Sequence, residues 1–556
     1  MGCAGMRFGR NVPREHTKRP SAEELMSPNP RLISNELMKR DAFKPATSLN
    51  MLAAAWIQFQ VHDWFMHYNS STEVHRIPVP SGDSWEGGKK EIEILKTRED
   101  GVLSEIDKEA PGYKNENTHW WDGSQIYGSS ETRTRELRAG AVNGKLAVDT
   151  QGLVSFLPRD KNGVPETGFR DNWWLGLEIL HTLFVLEHNA ICDALHTAYP
   201  TWSSDKVFDT ARLVNCALMA KIHTTEWTPA ILAHPALQIS MSANWWGLLG
   251  ERLYKLLGRV APGESISGIP GSGVEHHNAP YSLTEEFVSV YRMHSLLPDS
   301  MAFFDAKTGE HKKTYKIQDL AFEHARDPLL QSSNPDSTPP LSFSDIFYSF
   351  GINYPGAITL NNHSNFLRDL LTPEGHHIDL AALDILKDRE RGIPRYNTFR
   401  RLFHLPPASS FLSLVTGSSS PPSNSNATSP PSPALTALAE KLERIYEGDI
   451  EKVDLLIGCL AEPLPQGFGF SDTAFRVFIL MASRRLKSDR FIAGKDVWNE
   501  RVYSKVGMEW VQSGGGSMAG VLGRHFPELA EGLKGIKNRK WNILPPHLIF
   551  RSLFMF

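Results

Sequence analysis

Apolar positions along this chain recur mostly at helical spacing. Residues 50–68, NMLAAAWIQFQVHDWFMHY, are dense in apolar side chains, hold no Gly or Pro, and predict a helix. Two long helices are predicted over 171–200 and 206–228. Thr228-Pro229 should end the second and open a third, with Thr as N-cap and Pro at the first position. Ser282-Leu-Thr-Glu285 has capping-box spacing and predicts a helix running through Met293. Helical patterns return over 435–486. Between these, 80–120 and the Gly/Pro-rich 259–281 read as loops. The first 49 residues read as an extended lead-in with one short helix near 34–44. Alternating strand patterns are few, so the fold class is mainly α.

Composition narrows the picture. The chain has 556 residues and a net charge of 59 − 63 = −4, which argues against a general polyanion binder and predicts no nucleic-acid partner. Four cysteines (Cys3, Cys192, Cys216, Cys459) without CxxC spacing make neither a disulfide framework nor a zinc site. The N-terminus lacks the apolar stretch of a secretory signal, and no run is long enough to span a bilayer. An intracellular, cytoplasmic setting is expected. The run GSSSPPSNSNATSPPSPA within 408–436 cannot bury a core and is expected to be a disordered insertion.

Four constellations carry chemistry. In Gln58-Phe-Gln-Val-His62-Asp63, Gln58 and His62 share a helix face and Asp63 turns about 100° away. In Thr118-His-Trp120-Trp-Asp122-Gly-Ser124, oxygen donors alternate, with a backbone carbonyl to fill the gap at Trp120. That pattern suits Ca²⁺ once a second carboxylate joins it. In Tyr291-Arg-Met-His294, a tyrosine and an imidazole lie one helical turn apart. An imidazole can ligate heme iron. In Arg391-Gly-Ile-Pro394-Arg-Tyr-Asn397-Thr-Phe-Arg400, an amide could orient a metal-bound His and arginines could pair with propionates.

Taken in order, these segments resemble the heme peroxidase–cyclooxygenase superfamily, and within it the fatty-acid α-dioxygenases. The stretches AAAWIQFQVHDW, WWDGSQIYGS, FVLEHNAICD, VYRMHSLLPD, YEGDIEKVDLLIG and LMASRRLKSDRF carry the resemblance. It runs from about residue 7 to about residue 530. It implies one large helical catalytic domain over 50–556 with heme between central helices. His62 resembles the distal His, preceded by Gln58. His294 resembles the proximal iron ligand and Tyr291 the radical-bearing tyrosine. Asp63, Thr118, Trp120 (carbonyl), Asp122 and Ser124 resemble the Ca²⁺ ligands. Asn397, with Arg400 near it, resembles the proximal partner, and Arg170 the distal arginine. His223, Thr228 and Arg485 resemble the carboxylate clamp, with Arg484 as the neighbouring alternative. Val61 and Trp173 stand where animal peroxidases carry the Asp and Glu that attach heme. Non-covalent heme b is therefore implied.

The resemblance implies a reaction in which the Tyr291 radical takes hydrogen from C2 of a fatty acid and O₂ adds there. The 2-hydroperoxy acid can then decarboxylate to an aldehyde one carbon shorter. The alternative is another superfamily member, a mid-chain fatty-acid dioxygenase or a heme peroxidase. The expected partners are a free fatty acid and O₂. The chain is expected to be a monomer, and a peripheral contact with a membrane or lipid droplet would suit such a substrate.

Overall fold

The structure is a computed structural model that describes residues 2–140, 143–151, 154–161, 163–276, 281–330, 339–373, 375–417, 431–513 and 515–529. About half the chain is helical. Strands form only four two-stranded antiparallel ribbons among the described residues.

At the centre lies helix α1 (Met51–Trp64), buried on every side except at Gln58 and Val61, which face a cavity. A helix that is apolar all round belongs inside a large core. α1 packs on α2 (Leu175–Ala198), which packs on α3 (Ser204–Ile222). α4 (Glu285–Val290), α5 (Leu380–Glu390), α6 (Tyr396–Leu402) and α7 (Asp472–Ser488) close the other side, with α4 against α7. One continuous apolar cluster fills the interior. A small satellite lies under the hairpin β1 (Asn69–Pro78) and β2 (Glu91–Thr97). No helix among the described residues is long and apolar enough to cross a membrane.

Several sequence expectations need correction. Thr228-Pro229 does not end α3. The helix continues as one wide π-type turn, His223–Trp227, and then as Thr228–Ile231. Both the N–H and the hydroxyl of Thr228 bond to the His223 carbonyl, so Pro229 is absorbed without a break. α4 is capped by Thr284, whose hydroxyl accepts from the Phe287 N–H, and not by Ser282. α4 stops at Val290, and His294 opens a separate 3₁₀ turn. The stretch read as loop over 80–120 contains β2, where Ile92 and Ile94 alternate inward. The lead-in is more ordered than expected: Pro30–Ile33 runs into a π-type turn at Ser34–Met38, and Phe8, Val12 and Leu37 are buried in the core. The low-complexity segment is narrower than 408–436, because Phe411–Thr416 and a helix from Pro433 reach into it. Residues 418–430 and the apolar tail 547–556 lie outside the described residues.

Candidate active site

A cavity of about 1030 Å³ opens between α1 and the segment after α4. Its walls include Gln58, Val61 and His62 from α1, Asn172–Trp174, and Tyr291–His294 from the segment after α4. The residues reach it for local reasons. α1 presents Gln58 and His62 on one face. Trp174 donates its indole N–H to Gln58 Oε1 at 2.5 Å, and the Gln58 amide donates to the Asn172 carbonyl at 3.2 Å. His62 is buried, its Nδ1 has no partner among the described residues, and burial lowers its pKa to about 4.

In the segment after α4, the His294 ring lies with Nδ1 2.8 Å from Asp384 Oδ2, an ion-pair distance without hydrogen-bond alignment. Arg292 Nε stands 3.4 Å from the other Asp384 oxygen. Burial opposes charge on Asp384, but Arg292 and His294 hold its carboxyl below the usual range. His363 meets the His294 ring edge to face at 5.5 Å. Donor atoms of His294, His363 and Asp384 all lie within 4.8 Å of one another.

Tyr291 lies on the inner edge of this wall. Its hydroxyl is buried and has no hydrogen-bond partner among the described residues, and burial pushes its pKa well above the ordinary phenol value. Trp64 meets the Tyr291 ring edge to face at 5.4 Å and the His223 ring at 5.2 Å. The Arg485 guanidinium lies over Trp64 at 4.9 Å and over Trp121 at 4.7 Å. It donates to the carbonyls of His119 and Trp120, while Nη1 remains without a partner. His223 Nδ1 accepts from the Trp56 indole at 3.3 Å, and burial with Arg485 nearby lowers its pKa to about 3. His223, Arg485 and Tyr291 therefore belong to one buried cluster around Trp64, and Thr228 is joined to it through its hydroxyl's bond to the His223 carbonyl. Arg484 points elsewhere, toward the His276 carbonyl at 3.4 Å.

The oxygen-rich loop closes on the far face of α1. Asp63 Oδ1 accepts from the Ser124 N–H at 2.7 Å and the Ser124 hydroxyl at 2.8 Å. The Thr118 hydroxyl donates to Asp122 at 2.8 Å. Burial, with Asp122 adding repulsion, pushes the Asp63 carboxyl up to about 7. Asp63, Asp122, Thr118 and Ser124 bring their side-chain oxygens to this loop, where Arg485 pairs with Asp63 and donates to the Trp120 carbonyl and Arg212 pairs with Asp122.

Three expected residues lie elsewhere. Arg170 points outward, with a largely exposed side chain 3.2 Å from Asp160. The loop spends its inward positions on Trp173 and Trp174, after a turn at Asn172 with φ 54°. Asn397 bonds to Ala408 through both its oxygen and its nitrogen, and also to Glu451. It braces a loop, and Asp384 takes the place beside His294. Arg400 bonds to Glu462 and Thr473. Sequence reasoning also missed Trp56, Trp64 and Trp121. The one signal for Asp384 was an acid inside the apolar pattern DLAALDIL.

The family profile described as animal haem peroxidase matches residues 1–534. A rice protein, "Alpha-dioxygenase PIOX", is 37 % identical over 533 residues, covering 94 % of this chain and 80 % of that protein. The crystal structure of Oryza sativa fatty acid alpha-dioxygenase, in a tyrosine-to-phenylalanine form with palmitic acid, superposes with a TM-score of 0.83 at 36 % identity, covering 96 % of this chain and 83 % of the other. The Arabidopsis thaliana fatty acid alpha-dioxygenase also gives a TM-score of 0.83, at 33 % identity, covering 96 % and 79 %.

Proposed function

Because the chain belongs to the animal haem peroxidase family and, within it, to the fatty-acid α-dioxygenases, we propose that the cluster around Trp64 is where it oxygenates C2 of a fatty acid. The observation that carries this reading is that one buried indole touches Tyr291, His223 and Arg485 together. It brings a phenol, an imidazole and a guanidinium that could anchor a carboxylate against a single ring.

The cavity fits heme. Its volume is at the upper end of ligand-sized pockets, His62 and His294 both line it, and Asp384 beside His294 Nδ1 leaves Nε2 available to a metal. Val61 and Trp173 line it, and neither can form an ester link. Heme, when bound, supplies the one-electron oxidant for Tyr291. The rest falls to the protein. His62 is neutral above about pH 4 and can accept a proton from a hydroperoxide. Arg485 Nη1, with neutral His223 and Thr228, holds the substrate carboxylate, so C2 is the CH₂ nearest the Tyr291 oxygen. The Tyr291 phenoxyl takes the C2 hydrogen atom, and O₂ adds to the carbon radical. The peroxyl takes a hydrogen atom back from the Tyr291 hydroxyl, which restores the radical. Loss of CO₂ and water from the 2-hydroperoxide leaves the shorter aldehyde.

Asp63, Thr118, Trp120, Asp122 and Ser124 would hold Ca²⁺, which relieves the repulsion between the two carboxylates and ties the loop to α1. The chain is read as an intracellular monomer, consistent with four free cysteines. Incubation with palmitate and O₂ tests the function. Pentadecanal and the 2-hydroperoxide are expected, whereas mid-chain hydroperoxides would reject it.

A further inference from the structure

The helix Gly250–Leu257 and the turns flanking it form a face that the reaction does not use. On this helix Leu253, Leu256 and Leu257 share an arc of about 100°. The opposite flank carries Glu251 and Lys255, paired at 2.6 Å, with the Lys255 ammonium 5.7 Å from the Trp246 ring. Tyr254 is its one buried side chain. The leucines turn outward: Leu256 is 78 % exposed and Leu257 57 %. An ordinary surface helix does the reverse, hiding its apolar stripe and showing its charges. Leu248, 74 % exposed, and Ile266 extend the patch. The loops that carry them are joined by a bond from the Leu248 N–H to the Ser265 carbonyl at 2.8 Å.

We propose that this face docks the enzyme peripherally on a bilayer containing anionic lipid, with Leu253, Leu256 and Leu257 in the acyl boundary. Three observations single out a bilayer. The large apolar side chains exposed here are all aliphatic, without an exposed Trp or Tyr of the kind that centres a protein interface. One two-turn helix with its turns is also well short of the roughly 20–30 residues a side of a stable protein interface. The segment 251–259 carries Arg252, Lys255 and Arg259 against Glu251, a local charge of 3 − 1 = +2 in a chain of net −4. Lys255 is paired with Glu251 and Arg259 is tied to the carbonyls of Pro262, Ser267, Gly268 and Pro270, so Arg252, beside the leucines, is the cation that complements an anionic headgroup and can reach it. The helix Pro235–Trp246, which supports this face, packs on His223–Trp227. Docking would thus set the substrate site's own layer against the phase in which fatty acids dissolve. That last point rests on the fatty-acid reading. The docking itself does not.

Flotation of the heme-loaded enzyme with vesicles of roughly 7:3 phosphatidylcholine to phosphatidylserine tests it. The wild type should float. The double variant Leu256→Asp/Leu257→Asp should lower the bound fraction at least about tenfold, with its melting temperature and its turnover of soluble palmitate unchanged. Four results would overturn the proposal: a wild type that stays in the dense fraction, a double variant that floats equally, a double variant that melts lower because the face is covered by its own chain, or a wild-type dimer that the variant abolishes. Flotation is read without turnover, so failure of the fatty-acid reading leaves this test intact.

Discussion

Tyr291 is a phenol in a dry aromatic box, flanked by Phe287 at 4.3 Å, Trp64 and Phe478. With no hydrogen-bond partner and a raised pKa it stays neutral, the form that can give up and take back a hydrogen atom. Tyr291→Phe should abolish oxygen uptake while heme absorbance persists. Retained uptake would end the radical assignment. Arg485 is fixed by two carbonyls and keeps one nitrogen free. A hydrogen bond to a charged group is worth about 1.5–3 kcal/mol. Arg485→Ala should therefore raise KM for palmitate roughly 10–100-fold, and Arg484→Ala by less than about threefold. The reverse order would move the anchor to Arg484. Asp384 lies 2.8 Å from His294 Nδ1, so if His294 ligates heme iron, Asp384→Ala should shift the Soret band of the loaded protein. An unchanged spectrum would leave Asp384 with a packing role.

At the scale of elements, the loop 118–124 is fastened to α1 through Asp63. Gly123 makes the turn at φ 68°, where an added Cβ would stand 2.9 Å from Tyr127 and 3.0 Å from Cys216. If the loop binds Ca²⁺, saturation at about 100 times Kd should stabilise the fold by about 2.7 kcal/mol. Chelation should lower the melting temperature accordingly, and Asp122→Asn should erase that dependence. How much of this could be read beforehand depended on what each signal measures. α1, α2 and α3 were legible because a periodic apolar pattern reports burial directly. The faces of His62 and Asp63 were legible because side-chain order along α1 fixes them, whereas Tyr291 follows the end of α4 and was singled out by the family resemblance alone. The start of α4 was not, because Ser282 and Thr284 are both capping residues, and choosing between them needs to know that the Leu283 N–H is taken by His119. Arg170 and Asn397 misled for a similar reason. A motif names residue types, whereas the direction of a loop side chain is set by neighbours such as Trp174 and Ala408. Asp384 looked like one more acid on a helix.

For the molecule as a whole, buried titratable groups set the response to acid. Seven imidazoles (His62, His67, His119, His181, His188, His223 and His363) have pKa values lowered by burial, four of them to about 4 and two to about 3. Each binds its proton less readily folded than unfolded. The stability it contributes is full above about 6.5 and is lost as pH falls toward about 4. Six carboxyls raised by burial (Asp63, Glu116, Glu226, Glu286, Asp388 and Asp489) act in the opposite sense as pH rises above about 4.5. Among the described residues, seven lowered imidazoles stand against four carboxyls raised to about 6–7 (Asp63, Glu226, Asp388 and Asp489), so the protein without heme or cation should gain stability as pH rises between about 4.5 and 6.5. Thermal melts across that range check the sign. A melting temperature that falls as pH rises would contradict the count.

Arg485 meets Asp63 across 422 positions of sequence, at 3.4 Å. The pieces of the site thus emerge from the ribosome far apart in time. His62 and Asp63 appear early, Tyr291 midway, and the guanidinium that braces them near the end. Until α7 is synthesised, Asp63 must be buried without its arginine or stay in water, and the latter costs less. A site whose bracing guanidinium is made so late predicts that cofactor capture follows the synthesis of α7. A message broken before codon 485 should yield a colourless chain with no partial activity, and the cell gets a complete oxidant-handling site or none.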